Sequence, residues 1–181
     1  MFSIEKCQVP ANTMLEKYLM NGAYADCYMT EISRQASFPE FILAFYTTPL
    51  FKLERLILKL IVSKPSTDAQ ARQLADGQVE KFAAWHVEGR GESELLMCDF
   101  LERTRSWFMV SPVDDDRTRL YFGSAISSRE DSKTGKLSLG VGFRALLGFH
   151  QLYSVLLLYS AKLRIVNQFS KRGPLLEKEN S

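Results

Sequence analysis

Histidine and cysteine are scarce in this chain of 181 residues, with two of the first and three of the second. His86 and His150 stand far apart, and Cys7, Cys27 and Cys98 are odd in number, widely spaced and without a Cys-x-x-Cys pair. Neither a zinc site nor a disulfide framework follows from that pattern, so the cysteines read as small buried hydrophobes in a reducing compartment. GxSxG, HExxH and a glycine-rich phosphate loop are all missing, which removes the sequence signatures of serine hydrolases, zinc peptidases and nucleotide enzymes. No metal and no cofactor is expected. Charge of one sign is also lacking: the net charge is +2, whereas a nucleic-acid binder concentrates Lys and Arg on one face. The opening MFSIEKCQVP carries Glu5 and Lys6 where a signal peptide needs an unbroken apolar core, so secretion is not expected and the chain is placed in the cytoplasm. The stretch Ala145–Ala161 is uncharged over 17 residues, the low end of what spans a bilayer. It contains His150, Gln151, Ser154 and Ser160 and reads as a long buried helix instead.

What is present is an ordinary globular balance, 46% apolar and 24% charged residues. That suffices for one domain over residues 1–181 burying roughly 70% of its unfolded surface, with a tail from about residue 170. YADCYMTEI, Tyr24 to Ile32, is bounded by turn residues and enriched in aromatic and branched types, hence a strand. SFPE then offers Ser37 as N-cap, Pro39 in the first turn and Glu40 at the capping-box position of a helix running to about Tyr46. Thr48 and Pro49 open a second helix, in which Leu50, Leu53, Ile57, Leu60 and Ile61 share one stripe and predict a buried face. The polar segment from Ser63 to Gln78 reads as an exposed connector, with about one helical turn after Thr67. From Val79 the period changes to two, and breaks at EGRGE, LER and DDD divide the chain into four antiparallel strands. A long helix follows, expected to stop before Gly173 and Pro174.

Strand, two short helices, antiparallel meander and long C-terminal helix make an α+β class in which a curved sheet wraps around that helix. In this order of elements the chain resembles the START or polyketide-cyclase-like (SRPBCC, helix-grip) superfamily. A closer resemblance is to a bacterial family of uncharacterised small domains, some of which occur beside nucleoside-diphosphate-sugar epimerase-like domains. It is carried by YADCYMTEI, SFPEFILAFYTTPLFKLERLILKLI, YFGSAI and GFHQLYSVLLLYSA. Five firm strands are counted where the superfamily has six or seven. Either KLSLGV or the N-terminal MFSIEKC supplies another, or the sheet is abbreviated.

The aromatic hairpin RTRSWFMVSPVDDDRTRLYFGSAI fills a core or lines a hollow one, and both readings stand on sequence. A four-residue turn, Val113 to Asp116, places Met109 opposite Leu120 and Trp107 opposite Phe122, so that these four side chains share one face. The long helix would close over them with Phe149 and Tyr153. Arg105 would share the inward face with Trp107, paired to Asp99 if the LER turn is odd in length. Of Trp85 and His86 only one can point inward. His86 and His150 are the only histidines for acid/base work, and neither sits in a catalytic motif.

Three functions follow as expectations. A cavity between sheet and helix would bind a small hydrophobic, lipid or polyketide-like molecule. The superfamily resemblance implies, as an alternative, a cyclase- or dehydratase-like enzyme acting on an apolar or aromatic substrate. The third is an interaction domain that docks through its C-terminal helix, with Lys162, Arg164, Lys171 and Arg172 at the basic end. The same helix offers a surface for a homodimer.

Overall fold

Two helices begin where the caps predict. The Ser37 hydroxyl accepts from the Glu40 amide and the Thr48 hydroxyl from the Phe51 amide, each followed by a proline in the first turn, where its missing N–H leaves no bond unmade. A computed structural model describes residues 4–126 and 141–176, apart from the side chains of 61–62, 141–149 and 169–176. Its helices are α1 (Glu16–Met20), α2 (Phe38–Tyr46), α3 (Pro49–Val62), α4 (Asp68–Ala75) and α5 (Val141–Leu176). Its strands are β1 (Glu5–Lys6), β2 (Tyr24–Ile32), β3 (Lys81–Phe82), β4 (Trp85–Arg90), β5 (Glu94–Asp99), β6 (Thr104–Asp114) and β7 (Arg117–Ile126). All neighbours are antiparallel, in the order β1-β2-β7-β6-β5-β4-β3. The N-terminal segment thus supplies one extra strand, and the expected strand after Val79 is divided into β3 and β4, which makes seven; KLSLGV lies outside the described residues up to its last residue, Val141, which begins α5.

Both faces of the curved sheet are covered. On the inner face Phe41 and Phe45 of α2 meet Phe108 and Phe122 in a fully buried aromatic cluster. α5 lies along the β2 side, with Leu157, Leu158, Ala161 and Ile165 buried in the same core. On the outer face the N-terminal segment covers a smaller cluster of Leu15, Cys27, Leu96, Trp107, Tyr121 and Ala125.

Four expectations are corrected. The segment after Ser63 is no mere connector: Thr67 and Gln70 form a complete capping box, and α4 buries Ala71 and Leu74 against α2. α3 is turned the other way. Leu53, Ile57 and Leu60 face outward, Leu50 packs against the core and the side chain of Ile61 lies outside the described residues, while Phe51 joins the aromatic cluster and Arg55 is buried. Phe51 and Arg55 lie four apart on the face opposite the leucine stripe, and the ring's area together with the bonds from Arg55 to Asp68 Oδ1 (2.6 Å) and Ser66 Oγ (2.9 Å) outweighs the stripe. α5 runs to Leu176, past the expected stop at Gly173 and Pro174; the torsion that proline imposes is itself helical.

The fourth correction concerns the aromatic hairpin. Its loop is two residues, Asp115 and Asp116, closed by Asp114 opposite Arg117, and a bulge at Val113 then sets Pro112 opposite Thr118. The pairing is displaced by one from the expected register, so Phe108 faces Phe122 and Trp107 faces Gly123. Because side chains alternate, Phe108, Val110, Leu120 and Phe122 take the inner face, and Trp107 and Met109 take the outer.

Candidate functional site

The expected site residues do not converge. Leu120, Phe122 and Tyr153 belong to the inner core, whereas Trp107 and Met109 pack on the far side of the sheet; the side chain of Phe149 lies outside the description. The Trp107 indole N–H donates to Glu94 Oε2 at 2.8 Å, which also accepts from the Met14 amide. Arg105 and Asp99 do not pair. Cys98 stands opposite Arg105, so Asp99 belongs to the other face, where it accepts from the Arg103 and Thr104 amides and holds the turn. Arg105 binds Glu88 at 3.0 Å and stacks 4.9 Å over the Tyr18 ring. Burial pushes the Glu88 carboxyl upward, but bonds from Tyr18, Lys17 and Arg105 outweigh it and bring it to about 2. This cluster clamps α1 to β4 on the outer face. Trp85 is the inward member of its pair, 5.8 Å from the Phe51 ring, which turns His86 outward.

The hollow between helix and sheet is occupied where the aromatic hairpin was to line it. Phe45 sits 4.7 Å from Phe108 and 4.8 Å from Phe122, and Tyr46 lies 4.9 Å from Phe82. An open cleft of about 840 Å3 lies instead along the outward side of α2, between α4 and α5, and carries Arg34, Glu40, Arg72 and Arg164 on its walls. It is charged where an apolar chamber was expected.

His150, like Arg105, lands in a polar constellation, this one on the inner face of the sheet. Its Nε2 is 2.7 Å from the Ser124 hydroxyl on β7, and that hydroxyl donates to Asp26 Oδ1 on β2 at 2.5 Å. The other Asp26 oxygen accepts from the Tyr24 hydroxyl at 3.2 Å, which accepts in turn from Gln151 Nε2 at 2.7 Å. Burial raises the Tyr24 phenol above its ordinary value, and the Asp26 carboxylate adds to the shift. Asp26 and Ser124 are Cα partners across the β2–β7 ladder, so period-two geometry delivers both to the inner face, and successive residues of α5 reach down to them. Asp26 and Ser124 are buried and His150 is half-buried, so His150 is the more exposed end of this chain of bonds.

Since the single Ser124 proton points to Asp26, His150 Nε2 must be the donor to Ser124. In that tautomer Nδ1 is the ring nitrogen left to accept a hydrogen bond. Sequence reasoning missed Asp26, Ser124 and Tyr24. Their signal was present: a polar residue at alternate positions of an otherwise apolar strand, in YADCY and in YFGSAI.

No family model and no curated protein matches this chain. The solved structure of EF2215 from Enterococcus faecalis, a conserved protein of unknown function, is similar over 87% of this chain and 95% of its own, at 9% identity and a TM-score of 0.33. At that score it carries no argument about function. No helix among the described residues is long and apolar enough to cross a membrane, and no described cluster of His, Cys, Asp and Glu could hold a metal ion.

Proposed function

We propose that this is a helix-grip domain that binds a small, largely apolar molecule and holds its one polar group at the Asp26–Ser124–His150 chain. The helix-grip reading is supported by the strand order and by α5 lying along β2, where Lys162 Nζ reaches Thr30 Oγ1 at 2.9 Å. The ligand reading is carried by the buried carboxylate. Apolar residues of similar volume would stabilise a core as well or better than buried charge, whereas a binding pocket needs a few convergent polar groups in an apolar wall. With Nδ1 as acceptor, His150 suits a hydroxyl of a lipid alcohol or of a polyketide-like phenol.

The test is ligand-induced thermal stabilisation by dodecanol and 1-naphthol, together with native mass spectrometry of the freshly purified protein for co-purified lipid. His150→Gln is expected to weaken binding about tenfold, the loss of roughly 1.4 kcal/mol that one such hydrogen bond contributes, while the unliganded melting temperature stays near that of the wild type. Equal stabilisation of both proteins, or of neither, would sink the reading. The same geometry favours the enzymatic alternative in one respect. If His150 took a proton from a bound hydroxyl, Asp26 would stabilise the imidazolium through Ser124, so turnover of a phenolic or enolisable substrate would be lost in the same variant.

A second reading, self-association, rests on a different surface. Leu53, Leu56, Ile57 and Leu60 of α3 are exposed, the last at 73%, and so are Leu152, Leu156, Leu163 and Val166 of α5. The α5 residues recur at spacings of four, seven and three, the seam of a helix that packs on another helix. Tyr153 donates to Glu54 at 2.5 Å and ties the two helices side by side. A second copy presenting the same stripe would cover it around a two-fold axis. Sedimentation analysis is expected to give a dimer that Leu156→Glu converts to monomer; a wild type that sediments as monomer at every concentration refutes the dimer.

A further inference from the structure

On the outer face of the sheet, Cys7 follows β1 and stands across from Cys27 of β2. The Cys7 amide donates to the Cys27 carbonyl at 2.9 Å, continuing the Lys6–Tyr28 pairing by one residue. Opposed residues that share backbone bonds in an antiparallel pair have Cα atoms about 5.5 Å apart, within the ~4.4–6.8 Å range of disulfides. Their sulfurs are already in contact at 3.2 Å.

The two thiols differ in the way a reactive pair requires. Cys27 is fully buried, beneath Leu15 and beside Trp107 and Tyr121, whereas Cys7 is half-buried. The bond from Cys27 holds the Cys7 thiol below its ordinary value; burial opposes this, and the Arg119 guanidinium assists it. The same contact, with burial, holds Cys27 well above its own. Cys7 therefore ionises first, in reach of solvent, and a protonated sulfur waits behind it. Cys98 has no such neighbour: its sulfur meets the Asp99 carbonyl at 3.4 Å, and burial pushes its thiol up to about 11.

We propose that Cys7 and Cys27 form a peroxide-oxidisable dithiol, with Cys7 as the sulfur that reacts and Cys27 as the one that resolves it into an intramolecular disulfide. The Cys7 thiolate attacks one peroxide oxygen; an S–O bond forms as the O–O bond breaks, and the leaving hydroxide or alkoxide takes up a proton. The Cys27 sulfur then attacks the Cys7 sulfur, forming S–S and breaking S–O, and the departing hydroxide leaves as water with the Cys27 proton. Two thiols lose two electrons and two protons, and the peroxide is reduced to two waters, or to alcohol and water. The product fastens the N-terminal segment over the Trp107 cluster and restrains the unfolded chain across a separation of 20 residues.

The experiment treats the full-length reduced protein with hydrogen peroxide and reads intact mass, peptide map and thermal midpoint. The expected product is lighter by two hydrogen atoms, yields a Cys7–Cys27 linked peptide, melts higher than the reduced protein and reverts with dithiothreitol. Cys98→Ser behaves identically, and Cys27→Ser accumulates a Cys7 sulfenic acid that dimedone labels. Oxygen addition without a linked peptide, a link to Cys98, or a Cys27→Ser protein that dimedone never labels each overturns the proposal.

Discussion

Trp107→Ala is expected to lose about 3–5 kcal/mol of stability, the range for truncating a fully buried large aromatic. The indole has no exposed surface and packs with Leu15, Leu96 and Tyr121, while its N–H satisfies the Glu94 carboxylate. The site cannot collapse easily around the loss, because the strand opposite presents Gly123. A Cβ there would stand 2.5 Å from Leu15 Cδ2, 2.9 Å from the Asp26 carbonyl and 3.2 Å from the indole itself, so the glycine admits the close approach of Leu15, the β2 backbone and the ring together. Truncation also leaves Glu94 with a single amide donor, from Met14. Against a total stability of roughly 5–15 kcal/mol, the variant should show a much lower urea midpoint with an unchanged slope. An unchanged midpoint would mean that Trp107 is not core. The variant's remaining folded molecules should bind apolar ligands as the wild type does, since the ring faces away from the proposed site.

Phe45→Ala is expected to cost a similar ~3–5 kcal/mol, for a reason that bears on whether the inner face is hollow. Phe45 is the hub of the aromatic cluster, with ring centroids at 4.7 Å from Phe108, 4.8 Å from Phe122, 5.5 Å from Tyr46 and 6.0 Å from Phe51. Offset and edge-on pairs at these distances contribute about 0.5–1.5 kcal/mol each beyond their area. Removing the hub should open a dry cavity lined by Phe and Leu, of the kind that binds benzene or xenon. Benzene vapour is therefore expected to raise the melting temperature of the variant and leave the wild type unmoved. A loss below about 1 kcal/mol, far under the range for such a truncation, would show that the ring borders empty space.

These two outcomes separate what local chemistry dictates from what it leaves open. Helix starts were legible because capping is a contract among residues three apart: Ser37 with Glu40, Thr48 with the Phe51 amide. The change to period two after Val79, and with it the antiparallel meander, was legible for the same reason, since alternation is written in adjacent residues. The outward position of Trp107 was not legible. One bulged residue at Val113 reverses the pairing of every side chain beyond it, and nothing in SPVDDD distinguishes a four-residue turn from a two-residue turn with a bulge. The facing of α3 escaped for a related reason: the leucine stripe is the stronger periodic signal, yet Phe51 finds an aromatic cluster and Arg55 finds Asp68 and Ser66.

The polar chain shows the same division. His150 was visible as one of two histidines, but its partners sit 26 residues away at Ser124 and, through that hydroxyl, a further 98 away at Asp26. Cys7 and Cys27 likewise read as isolated small hydrophobes until the pairing of β1 with β2 set them side by side. By itself the sequence determined the α+β class, the antiparallel meander, where the helices after the first strand begin and the long closing helix. Each of these follows from propensities and periodicities that act over a few residues. Tertiary structure alone decided which ring faces which side of the sheet, which stripe of α3 is buried and which distant polar groups meet. Those depend on register and packing, whose free energies arise only when residues far apart in the chain compete for the same space.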